Sequence, residues 1–262
     1  MTQASGVRSL ALAAAVWFTV IALAGYQVSG TTAASRLLGR LVGALVEIDR
    51  WLPAHREDID LLVEQRFRGT VEVEGLPLDV SLAADQASGA SDQTLERLIL
   101  ASAGRTLHGE GMSAFRDDIG DGGSLGLNEP VRWTVALLGG AAHRFWTFAL
   151  AAGLLVTLGG VLAVVLAGAE DRTRSALRAA GAGAGLATGA FALAWVLAGA
   201  ASSFPSDPVD REIALIARDG AWIGVRDGLA IAGAALAFLV LARLGRRAGS
   251  VTDPWPGALD ET

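Results

Sequence analysis

A run of 24 consecutive residues, 145–168, contains no Asp, Glu, Arg or His. At a rise of about 1.5 Å per residue, a helix of that length extends about 36 Å, which is enough to cross a hydrocarbon core of roughly 30 Å. The run therefore predicts a transmembrane helix, and every other segment of the chain has to be placed relative to it.

Three further apolar runs, at about 10–30, 179–201 and 221–244, are also long enough to span a bilayer. The composition agrees, since only 18% of the residues are charged, against about 25% in a soluble domain. The first run follows Arg8 and could be a signal peptide cleaved near residues 33–34. We favour an uncleaved anchor, because the run is long enough to span intact. The sequence thus predicts four transmembrane helices in a cell membrane.

The segment between the first two spans, residues 31–143, is acidic, with 10 Arg and 17 Asp plus Glu. Apolar residues recur at helical spacing over 33–51 and 55–66, and the corner at residues 51–53 separates these two predicted helices. Apolar and polar residues then alternate near 70–82, which predicts a β-hairpin. Ser91 and Asn128 are predicted N-caps of two later helices.

The fold class that follows is a mainly α membrane protein, with four transmembrane helices and a small α+β extracytoplasmic domain inserted between helices 1 and 2. The predicted parts are an N-terminus with the first span (1–30), the domain (31–143), the second span (144–168), a cytoplasmic loop (169–178), the third span (179–201), an outer loop with an interfacial helix around Ile213 (202–220), the fourth span (221–244) and a disordered tail (245–262).

The orientation is predicted from the arginines of the short loops, because loops on the cytoplasmic side carry an excess of positive charge. Both clusters fall on one side if four spans are counted: Arg172, Arg174, Arg178, Arg243, Arg246 and Arg247. We therefore expect both termini in the cytoplasm and the acidic domain outside. All 21 basic residues are Arg and 33 residues are Gly, which is typical of a GC-rich prokaryotic genome.

The stretch 117–129 resembles a calcium loop, because Asp117, Asp121 and Glu129 fall near ligand positions of an EF-hand. Ile119 stands where that loop needs an oxygen ligand, and Asn128 stands where it needs a bidentate Glu. We favour a flexible acidic loop over a metal site. The chain has no Cys and three His, at 55, 108 and 143, and no converging ligand spacing, so no cofactor is expected.

Two features of the apolar runs could matter for assembly or function. Gly181, Gly185 and Gly189 recur at four-residue spacing, which lets helix backbones approach within one chain or between chains. Arg226 and Asp227 are the charges inside the fourth run. Charge within a membrane is by default a functional hypothesis, although their place near the outer end of the span favours structural anchoring.

Three functions stay open from the sequence. The first is an accessory, scaffold or sensor subunit whose partners are the bilayer and either another protein or a second copy. Nucleic acid is not an expected partner, because the domain is acidic. The order of one span, a large outer domain and three further spans is similar to the cell-division and export class of ABC permeases, which implies a transport component. A third possibility is an envelope or lipid enzyme using His108, Asp117, Asp118 and Asp121.

Overall fold

The computed structural model describes residues 2–66, 69–115, 128–166, 170–204 and 207–249, and 86% of these residues lie in α-helices. The elements of the described part are α1 (Thr2–Ser29), α2 (Thr31–Val46), α3 (Ile48–Gln65), β1 (Thr70–Val73), β2 (Val80–Ala83), α4 (Ala84–Ala87), α5 (Asp92–Glu110) with a 3-10 turn (Gly111–Ala114), α6 (Glu129–Leu138), α7 (Gly140–Leu166), α8 (Glu170–Ala201) and α9 (Pro208–Gly249).

Four of these helices are long and apolar enough to cross a bilayer, within Val7–Ser29, Gly140–Ala163, Thr173–Ala201 and Pro208–Leu241. This confirms the prediction of a multi-pass membrane protein. These four helices, α1, α7, α8 and α9, form a bundle in which α1 is central and packs against the other three. A third of the residues in the apolar stretch of α1 are buried, compared with 11% in the apolar stretch of α7. Helix α7 therefore lies at the periphery, with most of its surface available to lipid.

Side-chain contacts fix the relative directions of the bundle helices. The hydroxyls of Ser9 on α1 and Ser175 on α8 lie 2.9 Å apart, and the hydroxyls of Thr19 on α1 and Thr157 on α7 lie 3.1 Å apart. At the other end of α1, Gln27 contacts Asp227 of α9. A second contact in each pair, between Gly183 and Ala13 and between Trp146 and Gly25, shows that α1 runs parallel to α8 and antiparallel to α7. We call the end of the bundle that contains Gln27 the domain end, because the domain described next adjoins it.

A compact unit, here called the helix–strand domain, is formed by α2–α6 together with β1 and β2. The strands pair antiparallel, with Val71 opposite Leu82 and Val73 opposite Val80, and these four side chains are buried. A lone hairpin is marginal in water, so its apolar face needs cover. Helix α5 provides much of it through a buried stripe at helical spacing: Leu95, Ile99, Ala103 and Leu107.

Helices α2 and α5 cross with their backbones in direct contact. A Cβ added to Gly104 would overlap the carbonyl of Ser35, and one added to Gly39 would overlap the carbonyl of Leu100. The close approach therefore requires glycine on both helices. It brings Leu38 and Leu41 of α2 into the same fully buried cluster as the α5 stripe.

The predicted N-caps are confirmed, because the Ser91 side chain accepts a hydrogen bond from the Thr94 amide and Asn128 accepts one from the Val131 amide. The predicted corner at residues 51–53 is wrong. The break falls at Glu47, whose left-handed backbone (φ 48°, ψ 58°) ends α2 and precedes α3. Pro53 lies inside α3 between buried Leu52 and Ile59, whose burial outweighs the one helical hydrogen bond that proline removes.

The structure also differs from the sequence prediction at residues 202–244. The expected interfacial helix and the expected fourth span form one unbroken helix, α9. The lone Gly220 at the expected boundary does not end it, since a single glycine costs a helix only about 1 kcal/mol. Ile216 of α9 is buried in the core of the helix–strand domain, with Val209 and Ile213 packed against it. The domain is thus not simply an insertion between the first two spans.

Candidate functional site at the junction of domain and bundle

Polar side chains meet at the domain end of the bundle, where one group joins the helix–strand domain to a membrane helix and two groups join membrane helices to one another. The connections lie between α1 and α9, between α2 and α9, and between α1 and α7. Two of the three covalent crossings in the described chain are short breaks, since Gly30 separates α1 from α2 and Gly139 separates α6 from α7. Both glycines have extended backbone angles, whereas the third crossing, along α9, is continuous helix.

The first connection is a closed cluster of three side chains. The Asp227 carboxylate accepts hydrogen bonds from Gln27 Nε2 at 2.7 Å and from Arg226 Nε at 3.2 Å, and Arg226 Nη2 donates to Gln27 Oε1 at 2.7 Å. Asp227 is only 8% exposed. A buried carboxylate is costly unless it is paired and hydrogen-bonded. The hydrogen bond from Gln27 on α1 therefore offsets part of the cost of burying the Asp227 carboxylate, and it holds α1 and α9 in register.

The second connection centres on Arg40 of α2. Its Nε lies 2.7 Å from Glu212 Oε1, and its Nη1 lies 2.7 Å from Asp219 Oδ2, two turns further along α9. The guanidinium therefore spans a stretch of α9 beside the buried Ile216. Since Arg40 is 36% exposed at its side chain, the pairs give orientation more than stability.

The third connection uses His143, near the start of α7. Its Nδ1 lies 3.2 Å from the Ser29 hydroxyl, and its ring stacks on Tyr26 with centroids 4.9 Å apart. One turn of α7 further on, the Trp146 ring lies against Gly25, where an added Cβ would overlap it. The aromatic side chains at this level thus attach α7 to the end of α1.

The other two histidines have structural partners. His108 on α5 is buried and its Nδ1 lies 2.9 Å from the carbonyl oxygen of Leu138, so an Nδ1–H would donate to the end of α6. His55 Nδ1 lies 2.9 Å from the carbonyl oxygen of Trp51, and the two rings stack.

The proposed metal loop cannot be assembled from the described residues. Asp117, Asp118 and Asp121 lie outside them, and Glu129 is an exposed residue in the first turn of α6. Within the described ranges, no three or more His, Asp or Glu side chains are grouped to hold a metal ion.

The glycine stripe of α8 faces outward. Nothing lies within 4 Å of a Cβ added to Gly185 or Gly189, and for Gly181 the nearest atom is the Ala235 Cβ at 4.0 Å. Close contact inside the chain occurs instead at Gly183, whose added Cβ would overlap the carbonyl of Ala13 on α1. Helical spacing identifies a stripe of small residues, but it does not tell which side of the helix meets a neighbour.

One arginine of the helix–strand domain has a perturbed pKa. The hydrogen bond to Asp60, followed by burial in the opposite sense and attraction to Asp60 and Asp92, raises the pKa of Arg56 above its ordinary value. Arg56 Nε donates to Asp60 at 2.9 Å, Nη1 to Asp92 at 2.7 Å and Nη2 to the Ala90 carbonyl at 2.8 Å. This side chain links α3 to the start of α5 and lies away from the junction.

Sequence reasoning missed Gln27 and Arg40. Gln27 is the only side-chain amide in the first apolar run. It could therefore have been predicted to pair with Arg226 and Asp227, the charged residues inside the fourth run. Arg40 gave no such signal, because its partners lie about 175 residues later in the chain. The arrangement can hold the position of α9 relative to the domain. It also places the Ser29 hydroxyl 3.2 Å from His143 Nδ1, but that hydroxyl donates to the carbonyl oxygen of Gly25 at 2.7 Å.

No protein-family model, curated protein or solved structure matches this chain.

Proposed function

We propose that this protein is a non-enzymatic, multi-pass membrane protein that serves as an accessory, scaffold or sensor subunit. The helix–strand domain binds a partner, and the membrane helices carry the effect of binding into the bilayer. The observation that carries this proposal is the continuity of α9, which joins the core of the domain through Ile216 and then packs along α8. A movement of the domain is therefore directly a movement of a membrane helix.

The partner surface that we propose is the exposed face of α3. Leu61 is 55% exposed there, and the exposed acids Glu57, Asp58 and Glu64 lie within four residues of it on the same side of the helix. An apolar centre with an acidic rim suits a basic, partly apolar partner surface. The partner is a second protein or a second copy of this chain.

The orientation belongs to the same proposal. Arginines flank the bundle at the end opposite the domain, which by the positive-inside rule favours both termini in the cytoplasm and the domain outside. The domain would then meet ligands or proteins from the cell envelope, while the starts of α1 and α8 and the ends of α7 and α9 would face the cytoplasm.

The test is affinity isolation of the tagged full-length protein from membranes of its own host, in mild detergent, with the molar mass of the complex measured by light scattering. We expect a complex larger than one chain. The double variant Glu57→Arg/Glu64→Arg should lose the partner, while a charge-matched control on other exposed acids, Asp85→Arg/Glu110→Arg, should keep it. Recovery of the wild-type protein as a lone monomer would count heavily against the proposal.

The contacts of the described residues do not favour either of the two alternatives. A permease of the type suggested by the layout needs a segment after its second span to dock on an ATPase, and only residues 167–169 separate α7 from α8. For the enzyme hypothesis, one nitrogen of His108 is already bonded at the end of α6. We expect alanine at Asp117, Asp118 and Asp121 to leave the phenotype of the host unchanged, and we expect the same of His108→Asn, which keeps a donor for the Leu138 carbonyl oxygen.

A further inference from the structure

Helix α6 has apolar side chains on two opposite sides. A helix that contacts only a protein core and water is apolar on one side alone. One side is buried in the helix–strand domain and consists of Val131, Thr134, Val135 and Leu138. On the other side, Trp133 is 65% exposed and Leu137 is 57% exposed, and the exposed Ala136 lies beside them. The charged residues of α6, Glu129 and Arg132, lie in its first turn, so the exposed side of residues 133–138 is apolar and needs an apolar environment as the buried side does.

The chain itself indicates what that environment is. Helix α6 ends at Leu138, and α7 begins at Gly140, which is also the first residue of the second membrane-spanning stretch. In a bilayer that α7 crosses, the last turn of α6 therefore lies close to the membrane surface. Phe145 and Phe148, in the second and third turns of α7, are exposed to the surroundings of the bundle at 61% and 76%.

We infer that the Trp133–Leu137 face of α6, defined by Trp133, Ala136 and Leu137, lies in the interfacial layer of the lipid bilayer. This layer accepts the indole ring of Trp, whose apolar body and polar N–H suit the headgroup region. Arg132 borders the face and is exposed, so its guanidinium can reach lipid phosphates. The face would enter the boundary of headgroups and acyl chains by about 5–10 Å.

The consequence is a second attachment of the domain to the membrane. Through its other side, α6 packs on the domain core, and His108 of α5 bonds the Leu138 carbonyl oxygen. The bilayer surface is thus a binding partner of the domain itself, independent of the partner proposed for α3.

The absence of native cysteine allows single-cysteine labelling of the full chain. Trp133→Cys, Ala136→Cys and Leu137→Cys, each labelled with an environment-sensitive fluorophore, are reconstituted into phosphatidylcholine vesicles. Ala136→Cys is the mildest change and serves if the larger replacements reduce folding. Ala101→Cys is the matched control for Ala136→Cys, because Ala101 is also an exposed alanine in a helix of the domain and lies on α5, outside the face proposed for α3.

We expect blue-shifted emission at the three α6 positions, and stronger quenching by lipids with a nitroxide near the headgroup than by lipids with one near the chain end. The control should show neither effect. Water-like emission at all three α6 positions would overturn the inference. A blue shift without quenching by either lipid would also overturn it, because the face would then be covered by protein.

Discussion

The helix–strand domain and the membrane bundle both use glycine for close contact, but they differ in what surrounds the contact. In the domain, the crossing of α2 and α5 lies inside a continuous apolar core that includes both strands. In the bundle, the contact of Gly183 with Ala13 belongs to a much smaller buried cluster, and much of α7 and α8 faces outward. Burial from water holds the domain together, whereas contact geometry and a few polar bonds hold the bundle.

The largest effect is expected in the domain. Gly104→Ala places a methyl group against the Ser35 carbonyl and 2.9 Å from the Gly39 amide nitrogen. Since two backbones would have to separate, we expect a loss of about 3 kcal/mol in the free energy of unfolding. Hydrogen exchange of α2 and α5 in the detergent-solubilised chain measures it. Gly109→Ala on the same helix has no atom within 4 Å and should be neutral or stabilising. Equal behaviour of the two variants would contradict the crossing.

A smaller effect is expected at the corresponding contact of the bundle. Gly183→Ala should cost about 2 kcal/mol, because α1 and α8 can shift apart more easily than two helices of a closed core. Gly185→Ala and Gly189→Ala should leave the thermal unfolding of the monomer in detergent unchanged. If these two variants lower the oligomer content of the membrane-embedded protein, the predicted glycine stripe acts between chains. If they destabilise the monomer more than Gly183→Ala does, the described packing of α8 is wrong.

The polar cluster between α1 and α9 ranks third. Gln27→Leu removes one donor to Asp227 and one acceptor of Arg226, and we expect a loss of about 1 kcal/mol, as for other hydrogen bonds between membrane helices. Unfolding in mixed micelles measures the loss. Thr157→Val is the control, because Thr19 keeps its bond to the Ala15 carbonyl when Thr157 is replaced. A Gln27 and Asp227 double-mutant cycle without coupling would show that the cluster does not join the helices.

The ion pairs of Arg40 should contribute less, about 0.5 kcal/mol after allowance for solvent exposure. Arg40→Ala is expected to increase hydrogen exchange in the first four turns of α9, and the difference from wild type should shrink at high salt. Arg50→Ala is a matched control, since the Arg50 side chain is 83% exposed and pairs with Glu47 at the break between α2 and α3. If the two variants increase hydrogen exchange in α9 equally, the ion pairs of Arg40 do not stabilise the contact of α9 with the domain.

The smallest effect concerns pH. The pKa of Arg56 is raised in the folded state, so its stabilising contribution is complete below the ordinary arginine pKa and is lost only as the pH rises past the folded value. We therefore expect the stability difference between wild type and Arg56→Ala to be constant from neutral to mildly alkaline pH. Equilibrium unfolding at a series of pH values tests this, and a difference that fades across that range would contradict it.

Local signals in the sequence predicted local features of the structure. Uninterrupted apolar runs predicted the four long helices, alternation predicted the strand pair, and Ser91 and Asn128 predicted helix starts. The break at Glu47 was missed, because its left-handed backbone is imposed by packing on either side and glutamate gives no hint of it. The junction was largely missed for a different reason. Arg40 and Gln27 acquire their roles only when α9, about 170–200 residues later, packs beside them.

The continuity of α9 has a mechanical consequence. The crossings at Gly30 and Gly139 can bend, but a 42-residue helix of about 63 Å behaves as a single rod. If the junction acts as a pivot, a tilt of the domain by about 5° would displace the far end of the membrane-embedded part, roughly 36 Å away, by about 3 Å. A small reorientation outside the bilayer would then become a displacement comparable to the radius of a helix backbone at the opposite surface.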